Sequence, residues 1–408
     1  MELPILKKPT DRLEVIDVLR GIALFGLFSV HMQEHFELFQ FPESQSEIIK
    51  SLDKCINEIV YFLFAGKAYA LFAFLFGLSF FIQMKRQTDK GIDFKGRFLW
   101  RLIVLGVIGW FHSMIYSGDI LTFFFVMGFV LVVLDKLPSK ALIVLAIFFL
   151  LQIPFVLIAL SKIINHEFQR NPLLTTMDAI FKSSTPVFSK GSFTDVISFN
   201  IYEAQKSKWL FMFLYGRVFQ TLGLFMLGIV IGRSGFFRTI ENYKKHCKIA
   251  LVTASVLFLP LYIFNRFYLP EIAADKVIVE AWTIILSSYA NFAFVVIIFT
   301  GFVLLYQVEA INKGLDILKY TGRMSLTTYV MQSLVWVPLI YGYGAGLYDT
   351  IGFFYSFLLG VLFFVIQIYF SKWWMSRFHY GPIEWLWRSA TYLSVQDVPL
   401  RKELARTS

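Results

Sequence analysis

About ten runs of apolar residues, each able to form a helix across a hydrocarbon core, recur along this chain, and no other feature constrains its fold as strongly. A crossing helix needs roughly 20 mostly apolar residues. The runs are 18–32, 59–84, 99–116, 119–135, 141–161, 209–232, 249–265, 283–306, 324–340 and 351–371. The first extends through Phe36 to Phe41, and only Ser117 and Gly118 separate the third from the fourth, which predicts a tight helical hairpin. None alternates as a barrel strand does, so length and period both point to helices. The expected fold class is all-α: a polytopic integral membrane helical bundle of about ten transmembrane helices. Residues 1–371 form a single transmembrane domain, and 372–408 form an amphipathic basic tail.

Composition agrees. Of 408 residues, 57% are hydrophobic and 16% charged, against about 45–50% apolar and about 25% charged in a soluble domain. Forty-seven Phe and nine Trp suit a lipid-facing surface with aromatic belts. The first run is too long, and too poor in small residues at its end, for a cleaved signal peptide, so it reads as a retained anchor. Two cysteines, Cys55 and Cys247, exclude a disulfide framework or a thiolate metal cage.

The net charge of +10 is an orientation signal rather than a nucleic-acid one. With the N-terminus cytoplasmic, the cytoplasmic segments 1–17, 85–101, 136–140, 233–248, 307–323 and 372–408 hold 25 basic residues. The opposite loops hold ten, six of them in the long segment 162–208, where charge counts least. Both termini are therefore expected inside, with Cys55 and Cys247 on opposite sides. No nucleic-acid partner is expected; membrane lipids are. The loop 33–58 is acidic, with Ile48, Ile49, Leu52 and Ile56 at helical spacing, and is expected over the outer mouth. Segment 162–208 is the expected outer lid or acceptor loop, and the tail is expected to rest on the inner leaflet.

Ionisable residues inside spans are costly and mark sites or buried pairs. At the inner level, Asp17 and Arg20 share a face at three-residue spacing. Arg101 opens the third span and Arg323 the ninth, and the tail adds Gly381, Pro382, Glu384, Trp385 and Arg388. Such arginines either fix helix ends or bind a phosphorylated ligand through bidentate contacts. At the outer level stand His31, about 16 Å beyond Arg20 on a continuous helix, with Glu34 and His35 following on the same face. His112, Asp119, Lys67, Arg217 and Gln220 belong to the same depth. A histidine held by a carboxylate, His31 with Glu34 or Asp119, suits general-base catalysis. No HExxH or CxxC pattern supports a metal, and no Walker loop or GxSxG elbow supports nucleotide hydrolysis or an elbow-type hydrolase.

The stretch from Arg12 to Ala23 (RLEVIDVLRGIA) resembles the opening of the YeiB-like family of bacterial inner-membrane proteins. Three further stretches match in order: Phe72 to Gly77, Leu105 to Leu121 through His112 and Asp119, and Gly381 to Arg388. The resemblance implies a multi-pass protein of the bacterial cytoplasmic membrane, and members have been described as transport proteins. The layout is also similar to transmembrane acyltransferases of the heparan-glucosaminide acetyltransferase and bacterial O-acetylating types. That likeness implies an acyl-CoA donor bound from the cytoplasm and a sugar or glycan acceptor outside. His31 stands where the O-acetylating type carries its catalytic histidine. Asp17, Arg20, Arg101 and Arg323 would hold the CoA phosphates; His31, His112, Asp119 and Glu34 would be catalytic. Lys67, Arg217 and Gln220 would bind substrate or stabilise the oxyanion. The alternative is a small-solute transporter, for which Gly342, Gly344 and Gly346 supply a glycine-rich span end, without inverted repeats or paired broken helices in the sequence. A membrane scaffold whose charges only pack helices is the third reading.

Overall fold

The computed structural model describes residues 13–43, 45–165, 170–272 and 275–393. Arg12, the other basic residues of 1–12, His166 and the tail beyond Leu393 lie outside them. Helices dominate, and the described residues contain no strand. The chain runs through α1 (Glu14–Gln33), α2 (Glu47–Phe64), α3 (Lys67–Thr88), α4 (Lys95–Ile115) and α5 (Leu121–Leu134). α6 (Ser139–Leu150), α7 (Ile153–Ile164), α8 (Pro172–Lys190), α9 (Phe193–Ile201), α10 (Glu203–Leu214) and α11 (Arg217–Arg233) follow. Then come α12 (Ile240–Ile263), α13 (Leu269–Ile272), α14 (Lys276–Leu305), α15 (Glu309–Leu315) and α16 (Leu318–Arg323). The last three are α17 (Ser325–Ile340), α18 (Phe353–Arg377) and α19 (Pro382–Tyr392).

Six helical stretches are long and apolar enough to cross a membrane, or eight if each bent pair counts once. The runs at 119–135 and 324–340 become the shorter apolar helices α5 and α17. Three runs that read as continuous are broken. The run 59–84 breaks at Gly66, whose φ of +75° is left-handed. The pair α10–α11 bends by 66° at Gly216, φ +65°. In both, the missing side chain permits a conformation that other residues rarely adopt. The pair α6–α7 bends by 40° at Gln152, which takes φ +52° with no glycine to announce it. Its side chain explains the position: Nε2 donates to Gly216 O at 3.1 Å and Ser288 Oγ at 2.9 Å, tying one break to another. The helical spacing in the acidic segment is realised as α2, Glu47–Phe64, and 162–208 carries α8, α9 and part of α10.

α1 is the axis. Of its apolar window 78% is buried, against 17% for the stretch containing α12, which therefore sits at the rim. α3 and α11 cross closely through glycines: a Cβ on Gly77 would meet the Phe225 carbonyl, and one on Gly228 the Phe74 carbonyl. Small residues at such crossings let backbones approach where lipid supplies no hydrophobic drive. α19 is bound to the bundle. Trp387 Nε1 donates to Arg101 O at 2.8 Å and Trp100 Nε1 to Ala390 O at 2.9 Å. Glu384 accepts from Leu326 N at 2.7 Å and Thr327 Oγ1 at 2.6 Å, so it caps the first turn of α17 from another helix.

Candidate functional site

At the Arg20 end of α1 the helix ends converge on a cavity of about 320 Å³. Among the described residues its charged lining consists of five arginines, Arg20, Arg86, Arg101, Arg323 and Arg388, against two carboxylates, Asp17 and Glu384. Arg20 donates to Asp17 Oδ1 at 2.9 Å and to Ser79 Oγ. Arg323 donates to Glu14 Oε1 at 3.1 Å and lies 3.6 Å from Asp17 Oδ2. Arg101 is held by the Trp387 face, 3.9 Å from the ring centre, with a buried Nε that hydrogen-bonds to none of the described residues. Arg388 stacks on Tyr380 and Tyr392. Burial pushes the Glu384 carboxyl above its ordinary pKa, against the opposing pull of the Thr327 and Leu326 donors. Among the described residues arginines outnumber carboxylates in a lining that also contains Phe72, Phe76, Leu105 and Phe124. An anionic head on an apolar body fits such a lining.

The cavity's other boundary is Ile120, Leu121 and Tyr329. Directly behind them lies the His112–Asp119 pair. The turn between α4 and α5 brings Asp119 back onto the helix it has left, with Oδ1 2.7 Å from His112 Nδ1. Asp119 also accepts from Leu121 N at 3.1 Å, Thr122 N at 2.9 Å and Thr122 Oγ1 at 2.9 Å, which fixes its orientation. Tyr329 joins cavity and pair: its hydroxyl accepts from Ile120 N at 3.2 Å and its ring lies 5.2 Å from that of His112. The side chains of His112 and Asp119 are 1% and 0% exposed, so this hydrogen-bonded pair is dry.

His31 belongs to a second cluster. Its Nδ1 lies 2.7 Å from Tyr116 Oη and only within 4.0 Å of Glu34 Oε2, and its Nε2 is buried without a hydrogen-bond partner among the described residues. Tyr116 connects the clusters, its ring 5.1 Å from that of His31 and 6.1 Å from that of His112. The helical continuation expected through Glu34 and His35 is absent. α1 ends at Gln33, and His35, Phe36, Glu37 and Phe39 take φ values of +47°, +53°, +72° and +52°. Each such conformation costs a non-glycine residue about 1 kcal/mol or more. Tertiary contacts offset it: Phe36 is buried, its carbonyl accepts from Tyr341 Oη at 2.5 Å, and His35 is clasped by Gln40 O and Ser356 Oγ at 2.7 and 2.8 Å. His35 is therefore occupied away from His31.

Lys67, Arg217 and Gln220 gather at the helix breaks. Lys67 Nζ donates to Tyr61 O at 3.1 Å, Arg217 Nη1 to Gln220 Oε1 at 3.0 Å, and Gln220 Nε2 to Ser288 O at 3.3 Å. Tyr61 Oη in turn donates to Glu34 Oε1 at 3.3 Å. Among the described residues, none of the three hydrogen-bonds to His112 or Asp119. Cys55 is exposed and Cys247 buried, both free, and no group of three His, Cys, Asp or Glu side chains could hold a metal ion among the described residues.

The sequence reading missed Arg86 and Ser333. Arg86 lies in a stretch that reads only as an orientation signal. Ser333 Oγ, 2.5 Å from His112 Nε2, is 221 residues away along the chain, and a serine in an apolar span carries no local signal of that contact.

Comparisons with known proteins agree with the motifs. Residues 231–394 match a family described as "Protein of unknown function (DUF418)". The uncharacterized protein YxaH of Bacillus subtilis (strain 168) is 29% identical, covering 95% of this chain and 96% of its own. An uncharacterized protein from the amylase 3' region of Bacillus acidopullulyticus is 24% identical, with coverages of 96% and 97%. The uncharacterized protein YeiB of Escherichia coli (strain K12) is 39% identical over 75 residues, 17% of this chain and 18% of its own. No solved structure matches.

Proposed function

We propose, on the likeness to the DUF418 family over 231–394 and to YxaH and YeiB, that the chain is a YeiB-like multi-pass acyltransferase of the cytoplasmic membrane. It takes an acyl group from cytoplasmic acyl-CoA and delivers it to a hydroxyl or amine, on a sugar or envelope glycan, at the outer face. The observation that carries this reading is the continuity from an arginine-lined cavity to Tyr329 and Ile120, behind which a dry His112–Asp119 pair stands ready. Arg20, Arg101, Arg323 and Arg388 bind the donor's phosphates, Asp17 holds Arg20 and Arg323, Glu384 fixes α19, which carries Arg388, against α17, and the apolar wall receives the thioester arm. His112, oriented by Asp119, is the base that deprotonates the attacking nucleophile. His31, Tyr116 and Glu34 face the acceptor side.

The topology follows the same logic. We read six long crossings, two bent pairs and the shorter helices α5 and α17 as ten spans, a count that the structure supports to six or eight, and the Lys/Arg bias supports a topology with both termini inside. The test is transfer from labelled acyl-CoA to an outer acceptor in membrane vesicles. Loss of transfer in His112→Ala with donor binding retained supports the reading; unchanged transfer in both His112→Ala and His31→Ala overturns it.

One observation favours a second reading. The breaks at Gly66, Gln152 and Gly216 meet, and the N-termini of α3 and α11 there carry Lys67 and Arg217. Interrupted helices whose positive ends face a substrate are a carrier's device. Counterflow of a solute in proteoliposomes, abolished by Arg217→Ala and indifferent to His112→Ala, would favour the transporter.

A further inference from the structure

The Asp119–His112 pair continues on the far side of the imidazole. Nε2 of His112 lies 2.5 Å from Ser333 Oγ on α17, while Nδ1 lies 2.7 Å from Asp119. An ionised carboxylate only accepts, so the Nδ1 nitrogen carries the proton and Nε2 is left to receive one from the serine. Buried Ser29 and Ser189 return their hydroxyls to their own helix, to Phe25 O at 2.8 Å and Thr185 O at 2.7 Å, and buried Ser356 meets an imidazole, His35 Nε2 at 2.8 Å, whose other nitrogen faces the Gln40 carbonyl and not a carboxylate. Ser333 is different. Its hydrogen bond to a carbonyl of its own helix, Val330 O, is long at 3.5 Å against 2.5 Å to the imidazole, and among the described residues only Ser333 pairs with a histidine that a carboxylate holds from the other side. Carboxylate, imidazole and hydroxyl then stand in the order that activates an oxygen nucleophile. Ser333 is also one helical turn beyond Tyr329 on the same face of α17, and Tyr329 is the wall of the arginine-lined cavity.

We infer that Ser333 is an acyl-accepting nucleophile, so that transfer proceeds by double displacement through an acyl-serine ester. The inference rests on the donor reading above. In the first step Ser333 Oγ attacks the thioester carbonyl as His112 Nε2 takes its proton; the C–S bond breaks, and the leaving sulfur takes that proton from His112 as free CoA departs. In the second, an acceptor hydroxyl gives its proton to His112 and attacks the ester, and Ser333 Oγ recovers a proton as its bond to the acyl carbon breaks. Ser333 is 1% exposed, so an ester formed there is sheltered from hydrolysis while the acceptor arrives.

The test uses the purified full chain in detergent, with acetyl-CoA and, separately, palmitoyl-CoA as donors, labelled free CoA and no acceptor. Double displacement predicts exchange of label into the acyl-CoA, a gain of one acyl group in intact-protein mass, and loss of exchange by roughly a hundredfold or more in Ser333→Ala. Donor-induced thermal stabilisation retained in that variant shows that it is folded and binds. Ser333→Cys is predicted to restore a covalent adduct, now a thioester cleaved by neutral hydroxylamine. Donor binding without exchange, or exchange unchanged in Ser333→Ala, overturns the acyl-serine and leaves the donor reading standing. No binding of either donor overturns both.

Discussion

At the scale of single residues, hydrogen-bond geometry separates His112 from the other histidines. His35 is consumed by a carbonyl and a serine, and His31 reaches Glu34 only at 4.0 Å. His112 has a carboxylate at 2.7 Å on one nitrogen and a hydroxyl at 2.5 Å on the other. His112→Ala is therefore predicted to lower transfer by about 10²–10⁴-fold, the usual contribution of a positioned base. The fall should come in kcat with donor affinity retained, measured by transfer kinetics beside equilibrium binding. Asp119→Asn should lower kcat too, and it should also loosen the start of α5, because the same carboxylate receives Leu121 N and Thr122 N. Much of this was legible. The Asp17–Arg20 pair follows from three-residue spacing, and Ser117–Gly118 turns the chain so that Asp119 meets His112. Ser333 was not legible, because its partner is set by how α17 packs on α4. Nor was the fate of His35, since nothing in His-Phe-Glu-Leu-Phe announces a run of left-handed residues.

Helices and their junctions make a second group of predictions. The α3–α11 crossing depends on backbone approach at Gly77 and Gly228. Gly77→Val, which puts a branched side chain against the Phe225 carbonyl, is predicted to destabilise by about 1–3 kcal/mol, as overpacking does. Detergent-resistant folding or thermal unfolding checks it. Glu384→Ala removes a carboxylate that caps α17 and anchors α19, leaving Leu326 N and Thr327 N without their acceptor. It should cost about 1–2 kcal/mol and expose the segment between α18 and α19 to protease, whereas Glu384→Gln, which keeps an acceptor oxygen, should lose less. The helices themselves were readable from apolar length, and so was the hairpin at 117–118. The breaks were readable only in part. Gly66 and Gly216 are glycines inside apolar runs, but their left-handed conformation depends on neighbours from distant helices. Gln152 has no local signature at all, because its hydrogen bonds to Gly216 and Ser288 hold the bend.

Across the whole molecule, two polar levels lie along the α1 axis. Five arginines surround a cavity at the Arg20 end, and the imidazole and carboxylate groups lie further along, behind Tyr329 and around His31. The proposed donor, with phosphates at one end and a thioester at the other, would span that arrangement. The most direct measurement is thermal unfolding of the purified protein with and without millimolar acetyl-CoA, repeated with Arg20→Ala and Arg101→Ala. A ligand at a hundred times its dissociation constant stabilises by about 2.7 kcal/mol. The account predicts a rise in midpoint for the wild type that is lost or much reduced in both variants. An unchanged midpoint in the wild type, or an equal rise in all three proteins, would contradict a donor site built from these arginines.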